Sequence, residues 1–145
     1  MRRQSFAEMH CSIAQTLEIV GEWWTLLVLR DLFYGISQFD ALQESLGIAR
    51  NILTVRLQTL VEHGLVERRR YQERPERFEY ILTAKGRDLQ DVLLAFMRWG
   101  DRWLAGEAGP PLVFTHTLCE HELTPVMICK YCNQRVEPED LRVQP

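Results

Sequence analysis

Three observations predict a mainly α fold carrying one small β-wing, an α+β arrangement. The stretch from Gly47 to Leu82 reads as a helix ending at His63-Gly64, then two short strands joined through Glu73-Arg74-Pro75-Glu76. A preceding helix, Gln38 to Leu46, reaches it through a turn of about three or four residues containing Gly47, the spacing of a helix-turn-helix. Two more helices stand before that pair, so the order is three helices, one outward-reading helix and a two-stranded wing.

The helix over 50–63 divides cleanly into two faces. At roughly 100° per residue, Leu53, Leu57, Leu60 and Val61 stack on one side as a core stripe. Asn51, Val55, Gln58 and Glu62 point the opposite way, with Ile52, Thr54 and Thr59 on the shoulders. Gly64 stands just past the last periodic residue, where a left-handed cap ends a helix. The first strand alternates poorly (Leu65, Val66, then Arg68-Arg69-Arg70) and the second well (Phe78, Tyr80, Leu82). Short polar side chains on a helix can read base edges, and Arg on a hairpin can meet phosphates or a minor groove. The plain alternative is a solvated helix and an exposed hairpin.

Composition sets the bounds. A chain of 145 residues, 46% hydrophobic and 26% charged, suits one globular domain with a small appendage. At this length, association through exposed apolar helices is expected. The basic start, MRRQSFAEMHCS, has no apolar run behind it and is not read as a signal peptide. The longest apolar run, Trp23 to Leu29, is far too short to cross a bilayer, so a cytoplasmic protein without a membrane segment is expected. The net charge of −3 and pI of about 5.8 argue weakly against nucleic acid. Between Arg50 and Arg77, however, seven Arg face four Glu, a local +3 that leaves −6 for the remainder. All of that basic charge is Arg, which makes planar, bidentate contacts to phosphate and guanine.

Nearer the N-terminus, Cys11 precedes Ser12, an N-cap candidate, and Ile13, Leu17 and Val20 follow at helical spacing. A Cys at a helix start is a redox-sensing candidate through a lowered thiol pKa, or simply a small buried apolar residue. After Gly21 a second helix, dense in apolar residues from Trp23 to Phe33, is expected to be buried on most sides. Ser37 is the N-cap candidate of the third helix, which buries Phe39, Leu42 and Leu46. Beyond the wing, Thr83 is expected to cap one long helix, Ala84 to about Leu104. Its apolar face includes Phe96, Trp99 and Trp103, too much for a small domain to cover alone, which points to a dimer interface.

Residues 105–111 form a Gly/Pro linker, and 112–145 a tail holding three of the four Cys and two of the four His. His116-x2-Cys119 and Cys129-x2-Cys132 supply the four N and S ligands of a structural zinc, with His121 able to replace His116. The nine-residue gap is short for a zinc ribbon, Asn133 stands where Gly is usual, and Glu120 does not help a tight knuckle. The alternative is a small hairpin with reduced thiols.

These residues resemble the HxlR-type transcriptional regulators, a winged-helix branch related to the MarR group. The matching pieces are Cys11 with IAQTLEIVGEWW-TLLVLRDL, Phe39 and Leu42, then GIARNILTVRLQTLVEHGLVERRRY. Pro75, the run Arg77 to Thr83, Gly86 and Trp99-Gly100 complete the match, which spans roughly residues 8 to 104. Glu22 departs from it, since members commonly carry a basic residue there. The resemblance implies a homodimer whose first and last helices form much of the interface, and a palindromic operator. It also implies that some members carry a similar tail, matching His116, Cys119, Cys129 and Cys132, and that some sense oxidants through a Cys matching Cys11.

The expectation is therefore a dimeric winged helix-turn-helix that binds double-stranded DNA and regulates transcription, more in keeping with a repressor. Residues 8–104 form its DNA-binding and dimerisation domain, and 112–145 a zinc-ribbon-like tail. Asn51, Val55 and Gln58 are expected to face the major groove. Arg50, Thr54 and Arg56 lie near phosphates, Arg56 being equally suited to a structural salt bridge, while Arg70, Arg74 and Arg77 serve the wing. The effector is left open between a small molecule and a redox signal. A protein-interaction module using the same helix and wing is the alternative. An enzyme is not expected, since no Ser/His/Asp set, phosphate-binding Gly loop or paired-carboxylate motif is apparent.

Overall fold

A computed structural model of the chain describes residues 4–144. It divides into two compact units, Met1–Gln90 and Asp91–Pro145. The division falls at the start of the last long helix, whereas the sequence-based expectation drew its line after that helix, at 104.

The first unit holds α1 (Ser12–Val20), α2 (Trp23–Phe33), α3 (Phe39–Leu46), α4 (Arg50–Glu62), β1 (Val66–Glu73), β2 (Glu76–Leu82) and the one-turn α5 (Ala84–Arg87). Its core is aliphatic. Val28, Leu29 and Leu32 of α2 are buried together with Leu42 of α3, Leu53, Leu57 and Leu60 of α4, and Ile48, Leu65 and Val66 from the segments between. Burying each such side chain stabilises the fold by about 1.5–3 kcal/mol, and α2 is the element that meets α3, α4 and β2 alike.

Several expectations are corrected. Trp23 is 91% exposed and Leu27 also faces out, so α2, buried or half-buried elsewhere, leaves one narrow face to solvent. Thr25 and Asp31 are buried in its core face instead, and Asp31 Oδ1 accepts from Arg30 Nε and Nη2 at 2.8 and 2.7 Å. Val61, at 37% exposure, lies outside the core stripe because a 13-residue helix resting on two neighbours buries only a narrow face. Cys11, not Ser12, occupies the N-cap of α1, and Gln38, not Ser37, that of α3. The Ser37 carbonyl accepts the Tyr80 N–H at 2.8 Å and Gln38 makes a single bridge to Glu79, which ties the start of α3 to the second strand of the wing.

The wing is an antiparallel pair running from Val66↔Leu82 to Glu73↔Glu76, with a bulge between Arg70 and Gln72. Its root is tied to α4 and α5. Leu65 N–H donates to the Leu60 carbonyl at 2.9 Å, and Thr83 N–H to the Leu65 carbonyl at 3.0 Å. The Thr83 hydroxyl donates to the Gly64 carbonyl (2.6 Å) and accepts from Gly86 N–H (3.1 Å). Thr83 thus caps only α5. The chain then tightens into a turn, with Leu89 N–H on the Gly86 carbonyl at 3.2 Å, before α6 (Gln90–Trp103) begins.

The second unit contains α6 beyond its first residue, a 3-10 turn at Gly106–Ala108, the short strands β3 (Thr115–His116) and β4 (His121–Glu122), and a 3-10 turn at Pro138–Asp140. Among its described residues none is buried. No helix of the described chain is long and apolar enough to cross a membrane.

Gly86 makes the wing root testable. A Cβ there collides with the Leu65 carbonyl oxygen and comes within 3.1 Å of Leu82 Cδ2. The carbonyl cannot move without losing the Thr83 bond, so Gly86→Ala should cost about 1–3 kcal/mol, as overpacking does. Urea unfolding is the measurement, and an unchanged midpoint would show that the root relaxes freely.

Candidate nucleic-acid interface

With Leu53, Leu57 and Leu60 in the core, the opposite side of α4 is free. Asn51, Thr54, Val55 and Gln58 are all exposed. Asn51 makes no side-chain hydrogen bond among the described residues. Thr54 Oγ1 donates back to the Arg50 carbonyl (2.9 Å), and Gln58 Nε2 donates to Glu62 Oε1 at 3.0 Å. The N-cap of α4 is Ala49, which offers no side-chain acceptor, so the first backbone N–H groups of a 13-residue helix stay open to an anion. Gly47, at φ 63°, ends α3 and sets the three-residue turn, and buried Ile48 pins that turn to the core.

The guanidinium groups fall into two classes. Arg50 lies 3.0 Å from Asp40 and 4.5 Å over the Phe39 ring. Arg56 is half-buried and 3.9 Å from Glu22, so the acidic residue that departs from the family pattern pairs with the Arg whose role the sequence left open. On the wing, Arg69 pairs with Glu79 at 2.8 Å, Arg70 with Glu76 at 3.7 Å, and Arg68 stacks on Phe78 at 3.7 Å. Arg74 and Arg77, at the tip, have no ion pair among the described residues. Exposed pairs of this kind contribute about 0–1 kcal/mol, so a phosphate can displace the carboxylate.

Between the wing and the N-terminal ends of α3 and α4 runs a groove of about 450 Å³, bordered by Gln38, Arg50, Tyr71, Arg77, Phe78 and Tyr80 among others. Burial pushes the Tyr80 phenol up against the opposing pull of Arg68, so its hydroxyl stays protonated and able to donate at neutral pH. Gln38, Tyr71 and Tyr80 were not singled out in the sequence. The poor alternation of the first strand was the available sign, because the bulge places Tyr71 out of register.

The remaining candidates lie elsewhere. Cys11 is exposed at the start of α1. Phe96, Trp99 and Trp103 of α6 are exposed at 63%, 59% and 64%. In the tail, His116 Nδ1 lies 3.4 Å from Cys119 Sγ. The Cys129 thiol is held below its ordinary range by hydrogen bonds from the backbone N–H of Cys132 and of Tyr131 and by the Cys132 side chain.

A helix-turn-helix, a free outer face on its second helix and an Arg-tipped hairpin define the winged-helix class of DNA-binding transcriptional regulators. Comparison with known proteins gives the family. The model of the HxlR-like helix-turn-helix family matches residues 19–108. An uncharacterized HTH-type transcriptional regulator of Mycobacterium tuberculosis is 42% identical over 134 residues, 92% of this chain and 85% of the relative. Another, from Synechocystis, is 40% identical over 99 residues, 68% of this chain and 73% of its own. The crystal structure of PA1607, described as a candidate transcription factor, matches with a TM-score of 0.87 at 31% identity, covering 97% of this chain and 99% of that one. The chain belongs to the HxlR-like helix-turn-helix family.

The tip Arg pair can be tested directly. Replacing Arg74 and Arg77 together by Ala should weaken specific and random DNA binding alike and lower the salt slope by up to about two counterions. Fluorescence titrations at several salt concentrations measure this, and an unchanged slope removes the wing tip from the DNA backbone.

Proposed function

We propose that this DNA-binding regulator works as a homodimer that represses transcription from a palindromic operator. The observation that carries the reading is the exposed face Asn51, Val55 and Gln58 on a helix whose other side is locked into the core. Asn and Gln form bidentate pairs with adenine, and Val offers an apolar contact to a thymine methyl. In this reading Arg74 and Arg77 contact phosphates from the wing, while Arg50, Arg56 and Arg70 exchange a carboxylate partner for phosphate on binding. The DNA-binding and dimerisation part is 8–104, and 105–111 links it to the tail.

Dimerisation is supported by α6, fourteen residues with no buried side chain and three exposed aromatics. The exposed Ile13 and Leu17 of α1 are a second apolar surface that a partner copy can cover. A two-fold dimer reads two half-sites, which makes the operator palindromic. A dimer seated on a promoter occludes it, which is the simplest route to repression. Cys11 is the candidate redox sensor, being exposed at a helix start. Among the similar structures are YodB from B. subtilis, in its reduced form and after diamide treatment, and HypR, described as a redox regulator in its oxidized form.

Binding-site selection from random duplexes, followed by titration of the selected site, tests the reading. An inverted repeat should emerge, and random DNA should bind with a steep salt dependence. Failure to enrich any sequence would overturn it. On the selected site Gln58→Ala should cost on the order of 1–3 kcal/mol with little change on random DNA. Equal losses on both would exclude Gln58 as a base reader.

For the dimer, sedimentation should give twice the monomer mass at micromolar concentration. Trp103→Glu should dissociate or unfold it, because it buries a charge without a partner. A folded wild-type monomer would count decisively against the interface.

A further inference from the structure

The tail is built twice. In its first hairpin Leu123 N–H donates to the Phe114 carbonyl (2.7 Å), Thr115 pairs with Glu122, and the turn holds His116 and Cys119. In its second, Val136 N–H donates to the Met127 carbonyl (2.9 Å), Ile128 pairs with Arg135, and the turn holds Cys129 and Cys132. Every one of these positions recurs thirteen residues further along: 114 becomes 127, 116 becomes 129, 119 becomes 132, and 123 becomes 136.

The repeat extends to the backbone. Glu120 and Asn133, again thirteen apart, have φ of 58° and 57°, and no other non-Gly residue in the described chain has a positive φ. Each follows the second ligand-type residue of its turn. Glu120 N–H donates to the His116 carbonyl (2.8 Å), as Asn133 N–H does to the Cys129 carbonyl (2.8 Å). A left-handed residue there folds the chain back so that the side chains three positions apart inside the turn, 116 and 119 or 129 and 132, converge. Glu is a residue type that seldom adopts this conformation, so the turn geometry, not local preference, dictates it. The equivalent positions 116/129 and 119/132 inside the two turns hold His or Cys in every case, the side chains that bind zinc.

We propose that the two hairpins are half-sites of one zinc ion, held by His116 Nδ1 and the sulfurs of Cys119, Cys129 and Cys132. Zinc bonds to nitrogen and sulfur at tetrahedral angles put two such ligand atoms about 3.6 Å apart. His116 Nδ1 and Cys119 Sγ stand at 3.4 Å. In the second turn the Cys132 side chain hydrogen-bonds the Cys129 sulfur, which also receives the backbone N–H groups of Cys132 and Tyr131. Such backbone donors neutralise part of the negative charge that three thiolates bring to a metal. The two half-sites stand apart: among the described residues no three His, Cys, Asp or Glu side chains surround a common point. Metal binding therefore includes closing one hairpin on the other, the coupling of binding to folding that small metal modules show.

Stability supplies the second argument. No described residue of 112–144 is buried, and all three of its cysteines are free thiols. A segment this short without an apolar core needs a disulfide or a metal to hold one structure. The nitrogen ligand is assigned to His116 because its Nδ1 already stands at ligand spacing from Cys119 Sγ, 3.4 Å, whereas the His121 Nδ1 is turned to the Cys119 carbonyl at 2.6 Å.

The 145-residue chain purified under reductant from zinc-containing medium should carry about one zinc per chain. Its cobalt(II) derivative should show the intense visible absorption of tetrahedral thiolate coordination. Chelator should then accelerate protease cleavage within 112–144 of the wild-type protein. Cys129→Ser and Cys132→Ser should abolish the cobalt signature. His116→Gln should weaken zinc binding more than about a hundredfold, beyond the 10–100-fold effect of losing an outer-shell partner, with His121→Gln remaining close to wild type. Wild-type protein that retains no zinc and gives only octahedral cobalt would overturn the site, as would equal protease protection with and without chelator. The reverse ranking of the two histidines would overturn the assignment of His116.

Discussion

The structure depends on one side of α4 being spent on the core. Leu53, Leu57 and Leu60 are at most 1% exposed, and α2 and β1 are the elements that α4 meets. Turning the helix by one residue, about 100°, would bring these leucines into water, and each costs about 1.5–3 kcal/mol to expose. The opposite face is therefore presented at a fixed azimuth without any interaction of its own to hold it. The same packing runs on through Leu65 and Val66 into the wing. The hydrogen bonds from Leu65 to Leu60 and from Thr83 to Leu65 make the hairpin an extension of the helix end. The outer face of α4 and the wing are thereby positioned by the same set of buried leucines.

Charge explains how an acidic protein offers a DNA-binding surface. The Arg residues of α4 and the wing are matched largely by carboxylates from neighbouring elements: Asp40 for Arg50, Glu22 for Arg56, Glu79 for Arg69 and Glu76 for Arg70. These pairs orient guanidinium groups that would otherwise lose side-chain entropy on binding. Their own strength in solvent is small. The unmatched positive charge is left at the tip, on Arg74 and Arg77, beside a groove lined by Tyr80, whose phenol burial pushes above its ordinary range. Asp40 and Glu76 also border that groove, each already paired with an Arg, so an anion entering it competes with them for Arg50 and Arg70.

The second unit follows a different rule. It buries no described residue, so no apolar core decides its conformation. Its two parts are accordingly read as elements completed from outside: α6 by a second copy of the chain, the paired hairpins by a metal ion. Both readings rest on the same physical argument. Exposed aromatics on a long helix and thiols arranged at ligand spacing are costly features that become favourable once a partner supplies what the chain lacks.

Much of the first unit was legible in the sequence. The three-four periodicity of Leu53, Leu57 and Leu60, the left-handed Gly47 and Gly64, and the Arg-rich run before Pro75 are local patterns that dictate local structure. The family resemblance was legible for the same reason. Tertiary structure alone decided the rest, because those features depend on residues far apart in the chain. Val61 and Trp23 look like core residues, yet each falls on the part of its helix that no neighbour covers. The long last helix broke after Arg87 because Thr83 and Gly86 were committed to the wing root. Arg56 acquired its partner from Glu22, 34 positions away, and Gln38 and Tyr80 reached the groove through a strand bridge that no periodicity announces. The tail shows the division most sharply. Ligand types and spacing belonged to the sequence, but the equivalence of its two hairpins became visible only when Glu120, against its own preference, took the same left-handed turn as Asn133.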